Sequence, residues 1–214
     1  MKKSIFALSA AAMLAGFAGS AHAVYYFGNG ETGHVPTGMV AATELGYSGA
    51  GVGNMLFVPY VTTQDSNATM INITNTDSKN GKAVKVRFRG AGNSDDVLDF
   101  TLLLSPGDVW TASISADAQD GRSLLKTTDK SCTLPAIPDT GVYFVTDNLP
   151  EYLSDAAKAA HTREAYMEVL AMADIPATTK NGKANALYTA IKHKNGVPNN
   201  CGATAVDQLI NTDT

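Results

Sequence analysis

Short apolar runs separated by polar turns dominate the chain from residue 55 to residue 115. Residues 84–89 show the pattern most clearly, because valine or phenylalanine alternates there with lysine or arginine at every position. Alternation with period two predicts a strand that has one buried face and one face in water. Comparable runs lie at 55–61, 69–74, 97–104 and 109–114. Short strands spaced by turn residues are typical of stacked antiparallel sheets, so the pattern predicts a β-sandwich.

The residues between and within these runs refine the prediction. Asn80-Gly81 is a dipeptide typical of a two-residue hairpin. The turn sequence 105–108 separates two further strands. Pro59 indicates an edge strand or a bulge, because proline donates no hydrogen bond to a ladder. Trp110, the only tryptophan, is predicted to lie in the core.

Beyond residue 115 the elements become shorter and more mixed. Residues 124–127 and 142–145 predict strands, and 151–160 has a helical composition. The stretch 164–172 alternates like a strand, although its alanine, methionine and glutamate also favour a helix; we prefer the strand. Short helices are predicted at 184–192 and 203–210. The expected fold class is therefore mainly β, an antiparallel β-sandwich of the Ig-like or jelly-roll-like kind with short helices in the C-terminal third.

The first residues contain the three parts of a secretory signal peptide. Lys2 and Lys3 provide the positive charge, an apolar stretch follows, and Ala21 and Ala23 match the A-x-A cleavage pattern. The alternative is an uncleaved anchor helix, but the apolar stretch is shorter than the ~20 residues that a membrane span needs. The sequence therefore predicts cleavage after Ala23, export, and no transmembrane segment in the remaining chain.

These patterns divide the chain into four parts. Residues 1–23 are the predicted signal peptide, and 24–54 form a Gly-rich segment in which a short strand is predicted at 24–27. Residues 55–175 are the predicted β-sandwich domain, and 176–214 are a C-terminal segment of helices and loops. The sequence after 210 contains no further predicted element, which is compatible with a frayed tail or with a chain cut from a longer protein.

Charge and cysteine content narrow the function classes. The formal net charge is −4, and it becomes more negative without Lys2 and Lys3. Such a chain lacks the basic surface expected of a nucleic-acid-binding protein. Both cysteines, Cys132 and Cys201, lie in the exported part. An oxidising compartment favours a disulfide between them, with free thiols or a bond to another chain as alternatives.

The chain contains no recognisable catalytic motif. Residues 28–33 fit G-x-G-x-x-G, but the following His34-Val35-Pro36 breaks the helix that dinucleotide binding requires. No G-x-S-x-G elbow is present, and the histidines are not spaced as zinc ligands. A Ser-His-Asp site stays open, because the order of these residues varies among folds. The sequence predicts a protein that is not an enzyme.

Acidic turn residues are the only candidates for a metal site. Asp95, Asp96 and Asp99 surround one predicted turn, and Asp117 and Asp120 lie at another. Loop oxygens are the ligands that Ca²⁺ needs, but a site requires ~6–8 of them and neither group matches an EF-hand loop. Solvated turn residues are the alternative interpretation. Ca²⁺ is the one cofactor that the sequence suggests.

Several stretches resemble exported cell-surface or surface-layer-type proteins of beta-proteobacteria. The resemblance extends over roughly residues 55–170 and is carried by 56–60, 82–89, 97–100, 104–112, 129–133 and 163–169. It implies self-assembly into an outer-surface lattice or tube, and no catalysis. Members of that group are longer than this chain, so the resemblance favours the second alternative for the C-terminal end, a chain cut from a longer protein.

Together these features predict a structural, self-assembling protein of the cell surface. Its expected partners are itself, as a homo-oligomer or lattice, and the outer cell envelope; nucleic acid is not expected. The expected location is extracellular or at the cell surface, with the periplasm as the alternative. An alternative function is an extracellular carbohydrate- or ligand-binding or adhesion module that uses exposed tyrosines, such as Tyr25, Tyr26, Tyr47 and Tyr60. A periplasmic hydrolase would need a convergent polar pocket.

Overall fold

The fold is that of a computed structural model, which describes residues 52–179 and 182–202. The predicted signal peptide, most of the Gly-rich segment and the predicted helix 203–210 lie outside the described residues. The strands are β1 (Met55–Thr62), β2 (Ala68–Thr74), β3 (Gly81–Gly90), β4 (Asp96–Leu104), β5 (Val109–Ala116), β6 (Ser123–Lys126), β7 (Cys132–Leu134), β8 (Val142–Tyr143), β9 (Glu164–Ile175), β10 (His193–Lys194) and β11 (Val197–Pro198). The helices are α1 (Asp155–His161) and α2 (Ala186–Ile191).

The long strands form two antiparallel sheets. Sheet A has the order β1-β9-β3-β4-β7 and sheet B has the order β2-β5-β6-β8. Side chains of both sheets meet in one buried cluster, in which Phe100 of sheet A packs on Trp110 of sheet B with ring centroids 5.5 Å apart. Burial of each large apolar side chain contributes about 1.5–3 kcal/mol. The predicted antiparallel β-sandwich is confirmed, as is the place of Trp110 in its core.

Alternation in the central strands sets the two faces of sheet A. Val84, Val86 and Phe88 of β3 are buried, whereas the lysine and arginines that alternate with them, Lys85, Arg87 and Arg89, lie on the outer face. The ambiguous stretch 164–172 lies in β9, which pairs with β3 and alternates in the same way. The strand interpretation is confirmed because the alternate apolar residues of this stretch are the ones that the sandwich buries.

The predicted Asn80-Gly81 hairpin is wrong. β2 belongs to sheet B and β3 to sheet A, so the chain crosses between sheets at this point. Gly81 begins β3, where an added Cβ would lie 2.8 Å from Ile191 Cδ1 and 3.0 Å from the Leu104 carbonyl oxygen. The glycine is therefore required by the close approach of neighbouring chain segments.

Asp77 holds this crossing in place. One oxygen of its carboxylate accepts hydrogen bonds from the backbone amides of Lys79 and Asn80, at 2.8 and 3.0 Å. The ammonium group of Lys82 lies 3.2 Å from the other oxygen. Partial burial raises the pKa of Asp77, but the amides of Asn80 and Lys79 and the side chains of Asn80 and Lys82 outweigh it. They hold this pKa well below its ordinary value.

The C-terminal segment packs on sheet A outside the main core. Leu187 and Ile191 of α2 contact a second buried cluster that includes Ala83 and Leu103. The helix begins at Asn185, whose side chain accepts hydrogen bonds from the backbone amides of residues 187 and 188. Cys132 of β7 forms the predicted disulfide with Cys201, with Cα atoms 5.2 Å apart, and joins the end of the described segment to sheet A.

Candidate functional site

The longest sheet edges lie on one side of the sandwich. β1 is the last strand of sheet A and β2 is the last strand of sheet B. At the corner between them, the Thr69 hydroxyl donates to the Thr62 carbonyl at 2.8 Å and accepts from the Thr62 amide at 3.1 Å. Neither strand contains a charged residue. We call Met55–Thr62 and Ala68–Thr74 together the β1–β2 edge.

The β1 half of this edge is partly protected. The pairing of β1 with β9 shifts between Val58 and Val61, next to Pro59. Proline and a bulge both interrupt the regular row of backbone groups that a new strand needs. The predicted edge or bulge at Pro59 is therefore confirmed. Phe57 and Tyr60 are nevertheless more than half exposed on this strand.

The β2 half has no comparable protection. Seven consecutive residues pair with β5 without a register shift, from Ala68 opposite Ser115 to Thr74 opposite Val109. Met70 is 77% exposed, the largest value among the exposed apolar side chains of the strands described here. Such an uncharged, regular edge is a template for another strand.

The opposite edges are short. β7 has three residues and carries the disulfide, and β8 has two residues. Very short edge strands are one way in which proteins prevent unwanted pairing. The β1–β2 edge is consequently the side of the sandwich on which an added strand is least hindered.

A small aromatic group lies beside this edge on the outer face of sheet A. The rings of Phe57 and Tyr166 are 5.1 Å apart between centroids and tilted by 39°. Tyr60 donates a hydrogen bond from its hydroxyl to Glu164 at 3.0 Å. Tyr60 is exposed, as its proposed ligand-binding role requires. The other three tyrosines of that prediction lie outside the described residues.

The first acidic group of the calcium prediction lies on the same outer face. The β3–β4 pairing shifts by one residue, so Val97 is an extra residue that is buried with Leu98. As a result Asp96 and Asp99 both contact Arg87, with N–O distances of 3.3 and 3.7 Å. Asp99 also pairs with a lysine of β3, Lys85, at 2.7 Å. Asp95 contributes its backbone instead, because its carbonyl oxygen accepts a hydrogen bond from the backbone amide of Gly90.

The second acidic group forms a turn between β5 and β6. The backbone amides of Asp120 and Gln119 donate to the Asp117 carboxylate and hold its pKa below the ordinary value. Hydrogen bonds from Arg122, at 2.5 and 2.9 Å, likewise lower the pKa of Asp120. Within residues 52–179 and 182–202, no three metal-ligating side chains are grouped to hold an ion. The two predicted groups therefore do not combine into a metal site. Lysine, arginine or backbone amides of the same chain instead hold the carboxylates of Asp96, Asp99, Asp117 and Asp120.

One polar cluster, which no sequence motif predicted, lies where the turn between β4 and β5 meets β10. Ser105 Oγ lies 3.0 Å from Nδ1 of His193, and Asp108 Oδ2 lies 3.4 Å from the same nitrogen. The hydroxyl of Ser131 lies 3.4 Å from this carboxylate oxygen. The turn itself depends on Gly107, whose φ of +71° disfavours other residues. Residues 88 positions apart meet here, so no local motif could reveal the cluster.

The cluster does not have the geometry of a catalytic triad. In a triad the carboxylate and the serine contact different ring nitrogens of the histidine. Here Ser105 and Asp108 both contact Nδ1, and Ser105 is buried. The arrangement instead fastens the start of the β10–β11 hairpin to the turn that connects the two sheets.

No protein-family model, curated protein or solved structure matches the chain. As for membranes, neither α1 nor α2 has the length and apolar character needed to cross one.

Proposed function

We propose that this protein is a non-catalytic structural protein of the cell surface that associates with copies of itself. The observation that carries the proposal is the uncharged β1–β2 edge, on which Met55, Phe57, Tyr60 and Met70 are exposed. An exposed edge without charges favours pairing with another chain, and soluble monomers normally block it. In a self-associating protein, the same edge supplies the interface.

Export is the second part of the proposal. The N-terminal pattern that ends at Ala23 is typical of a cleaved signal peptide. A disulfide between Cys132 and Cys201 is compatible with an oxidising compartment outside the cytosol. The resemblance to surface-layer-type proteins favours the cell surface over the periplasm and makes the outer envelope the second partner.

The polar groups of the described residues support a structural role over a catalytic one. Ser105 is buried and shares one imidazole nitrogen with Asp108, so it is poorly placed to act as a nucleophile. The acidic groups at Asp96 and Asp120 are engaged by arginines of the same chain. The Ser105 and Asp120 clusters each hold a turn, and the Asp96 cluster links the neighbouring strands β3 and β4.

Electron microscopy of residues 24–214, purified without denaturant, tests the proposal. We expect sheets, tubes, filaments or discrete oligomers, imaged in parallel with and without added Ca²⁺. Phe57→Lys adds a charge to the edge and should reduce assembly. Tyr152→Lys is the matched control, because Tyr152 is 86% exposed and lies outside the β1–β2 edge. Particles of monomer size under every condition would contradict self-association.

A second candidate function is the binding of carbohydrate. It is favoured by the exposed aromatic group of Phe57, Tyr60 and Tyr166, beside the carboxylate of Glu164. Aromatic faces stack on sugar rings while neighbouring carboxylates accept hydrogen bonds from hydroxyl groups. A glycan array with the wild type and with Tyr166→Ala tests it. Binding that is lost in the variant would favour this function over self-association.

A further inference from the structure

The backbone of β2 shows which of its groups face the open edge. The amide of Asn75 donates to the carbonyl of Asp108 at 2.8 Å, in register with the β2–β5 pairing. Hydrogen-bonded and non-hydrogen-bonded pairs alternate along an antiparallel ladder. Ile71 and Ile73 therefore exchange hydrogen bonds with β5, and the backbone groups of Met70 and Asn72 point away from it. In the described part of the chain, no strand lies on that side of β2.

We infer that β2 pairs with β2 of a second copy of this chain, in antiparallel orientation, around a two-fold axis at Ile71. The inference rests on the proposed self-association and names its interface. In this register Met70 of one copy lies opposite Asn72 of the other, and the same pair occurs again by symmetry. Both residues have outward-pointing backbone groups, so each pair exchanges two hydrogen bonds. The two B sheets become one continuous sheet.

Side-chain positions are compatible with this register. Paired residues of a two-fold strand interface lie on the same face, so Met70 and Asn72 of both copies meet on the outer face. Ile71 of one copy faces Ile71 of the other on the inner face, next to the buried cluster to which it already belongs. Because β2 contains no charged residue, the interface places no like charges opposite each other.

β2 is a better interface than β1. The regular part of β1 ends at Val58, before Pro59 and the bulge, whereas β2 pairs regularly over its full length. A symmetric pairing needs a regular segment on both sides of its axis, which β2 provides around Ile71 and β1 does not. An isologous interface of this kind closes on itself and gives a dimer, so further assembly would need another surface.

Sedimentation velocity over a range of concentrations tests the interface in residues 24–214. Met70→Lys places a lysine on the edge, and the dimer dissociation constant should rise at least tenfold. Val109→Lys is the matched control, since Val109 is also exposed on the outer face of sheet B but lies one strand inward; its dissociation constant should not change. Asn72→Lys serves as a second edge variant if Met70→Lys does not fold by circular dichroism.

Cysteine crosslinking tests the register. A mixture of Met70→Cys and Asn72→Cys proteins, distinguished by mass, should form a mixed disulfide dimer under mild oxidation, because hydrogen-bonded opposite residues have Cα atoms about 5.5 Å apart. A mixture of Asn72→Cys and Val109→Cys should not crosslink between copies. Peptide mapping identifies the bond and shows that the native disulfide is retained.

The outcomes separate the interface from self-association itself. Dimers that are weakened by Met70→Lys and crosslinked from 70 to 72 support the inference. Oligomers that are unaffected by both edge variants overturn this interface but leave self-association in place. A monomer at every concentration overturns both. Loss of association on deleting residues 24–27, with no 70–72 crosslink, would assign an N-terminal strand as the occupant of the edge and also overturn the inference.

Discussion

Reduction of the disulfide should destabilise the protein by a large fraction of its total stability. The bond between Cys132 and Cys201 joins residues 69 positions apart. In the chain-entropy model, a loop of this size stabilises the folded state by about 4 kcal/mol. Domains of ordinary size have a total stability of about 5–15 kcal/mol. The reduced protein is therefore expected to be folded but to have a markedly lower free energy of unfolding than the oxidised protein.

Urea unfolding with and without a reductant measures this effect. Trp110 is the only tryptophan and is fully buried, so its fluorescence reports the unfolding of the main core. With a denaturant slope of about 2 kcal/mol per molar urea, the midpoint should fall by about 2 M on reduction. Cys201→Ala should unfold near the midpoint of the reduced wild type and should not respond to the reductant.

Two results would show that the disulfide does not stabilise the fold as expected. Alkylation of both cysteines without prior reduction would show that the bond does not form in solution. A reduced protein with an unchanged midpoint would show that the packing of Leu187 and Ile191 on sheet A is sufficient without it. Hydrogen exchange adds a local test, because amides of residues 186–191 should exchange faster after reduction, whereas those of β3 should remain protected.

Three further predictions concern the sandwich. Gly81→Ala should lower the unfolding free energy by about 1–3 kcal/mol, because its Cβ would clash with Ile191. Trp110→Ala should lower it by about 3–5 kcal/mol, since it leaves a cavity between the sheets. Asp77 has a lowered pKa in the folded state, so its contribution to the free energy of unfolding is fully present above pH ~4. This contribution is lost as the pH falls from there towards the folded-state pKa. Asp77→Asn should remove that part of the acid sensitivity.

A control variant and a contradicting result can be stated for these predictions. Gly90→Ala is the control for Gly81→Ala, because the nearest atom to its added Cβ is 3.6 Å away, and it should change stability by less than about 0.5 kcal/mol. Equal effects at both glycines would reject the clash. Circular dichroism can follow the Trp110 variant, and a loss below about 1 kcal/mol would reject the cavity argument. A pH series in urea tests Asp77, and identical acid profiles for wild type and variant would contradict its role.

Two Asn-Gly dipeptides show what the sequence could and could not predict. Asn195-Gly196 connects β10 and β11, and both residues have positive φ, 55° and 81°, as a type I′ hairpin requires. Asn80-Gly81 has the same sequence, but its flanking strands belong to different sheets. Alternation predicts which residues of a strand are buried, but it does not say with which sheet the strand pairs. The assignment of β2 and β3 to different sheets depends on the whole fold.

The candidate sites also differ in how far the sequence alone could predict them. The open edge could be anticipated in part, because Pro59 indicated an edge strand and the runs of β1 and β2 contain no charge. The meeting of Ser105 and His193 could not be anticipated, since it depends on where the C-terminal segment packs. The bulge at Val97 was equally hidden, although it alone brings Asp96 beside Asp99.

Self-association through the β1–β2 edge can be measured by sedimentation velocity of the oxidised protein, residues 24–214, over at least a hundredfold range of concentration. We expect a species larger than the monomer whose fraction rises with concentration and falls in the Met70→Lys variant. A single monomeric boundary at every concentration would contradict the claim that the β1–β2 edge serves self-association.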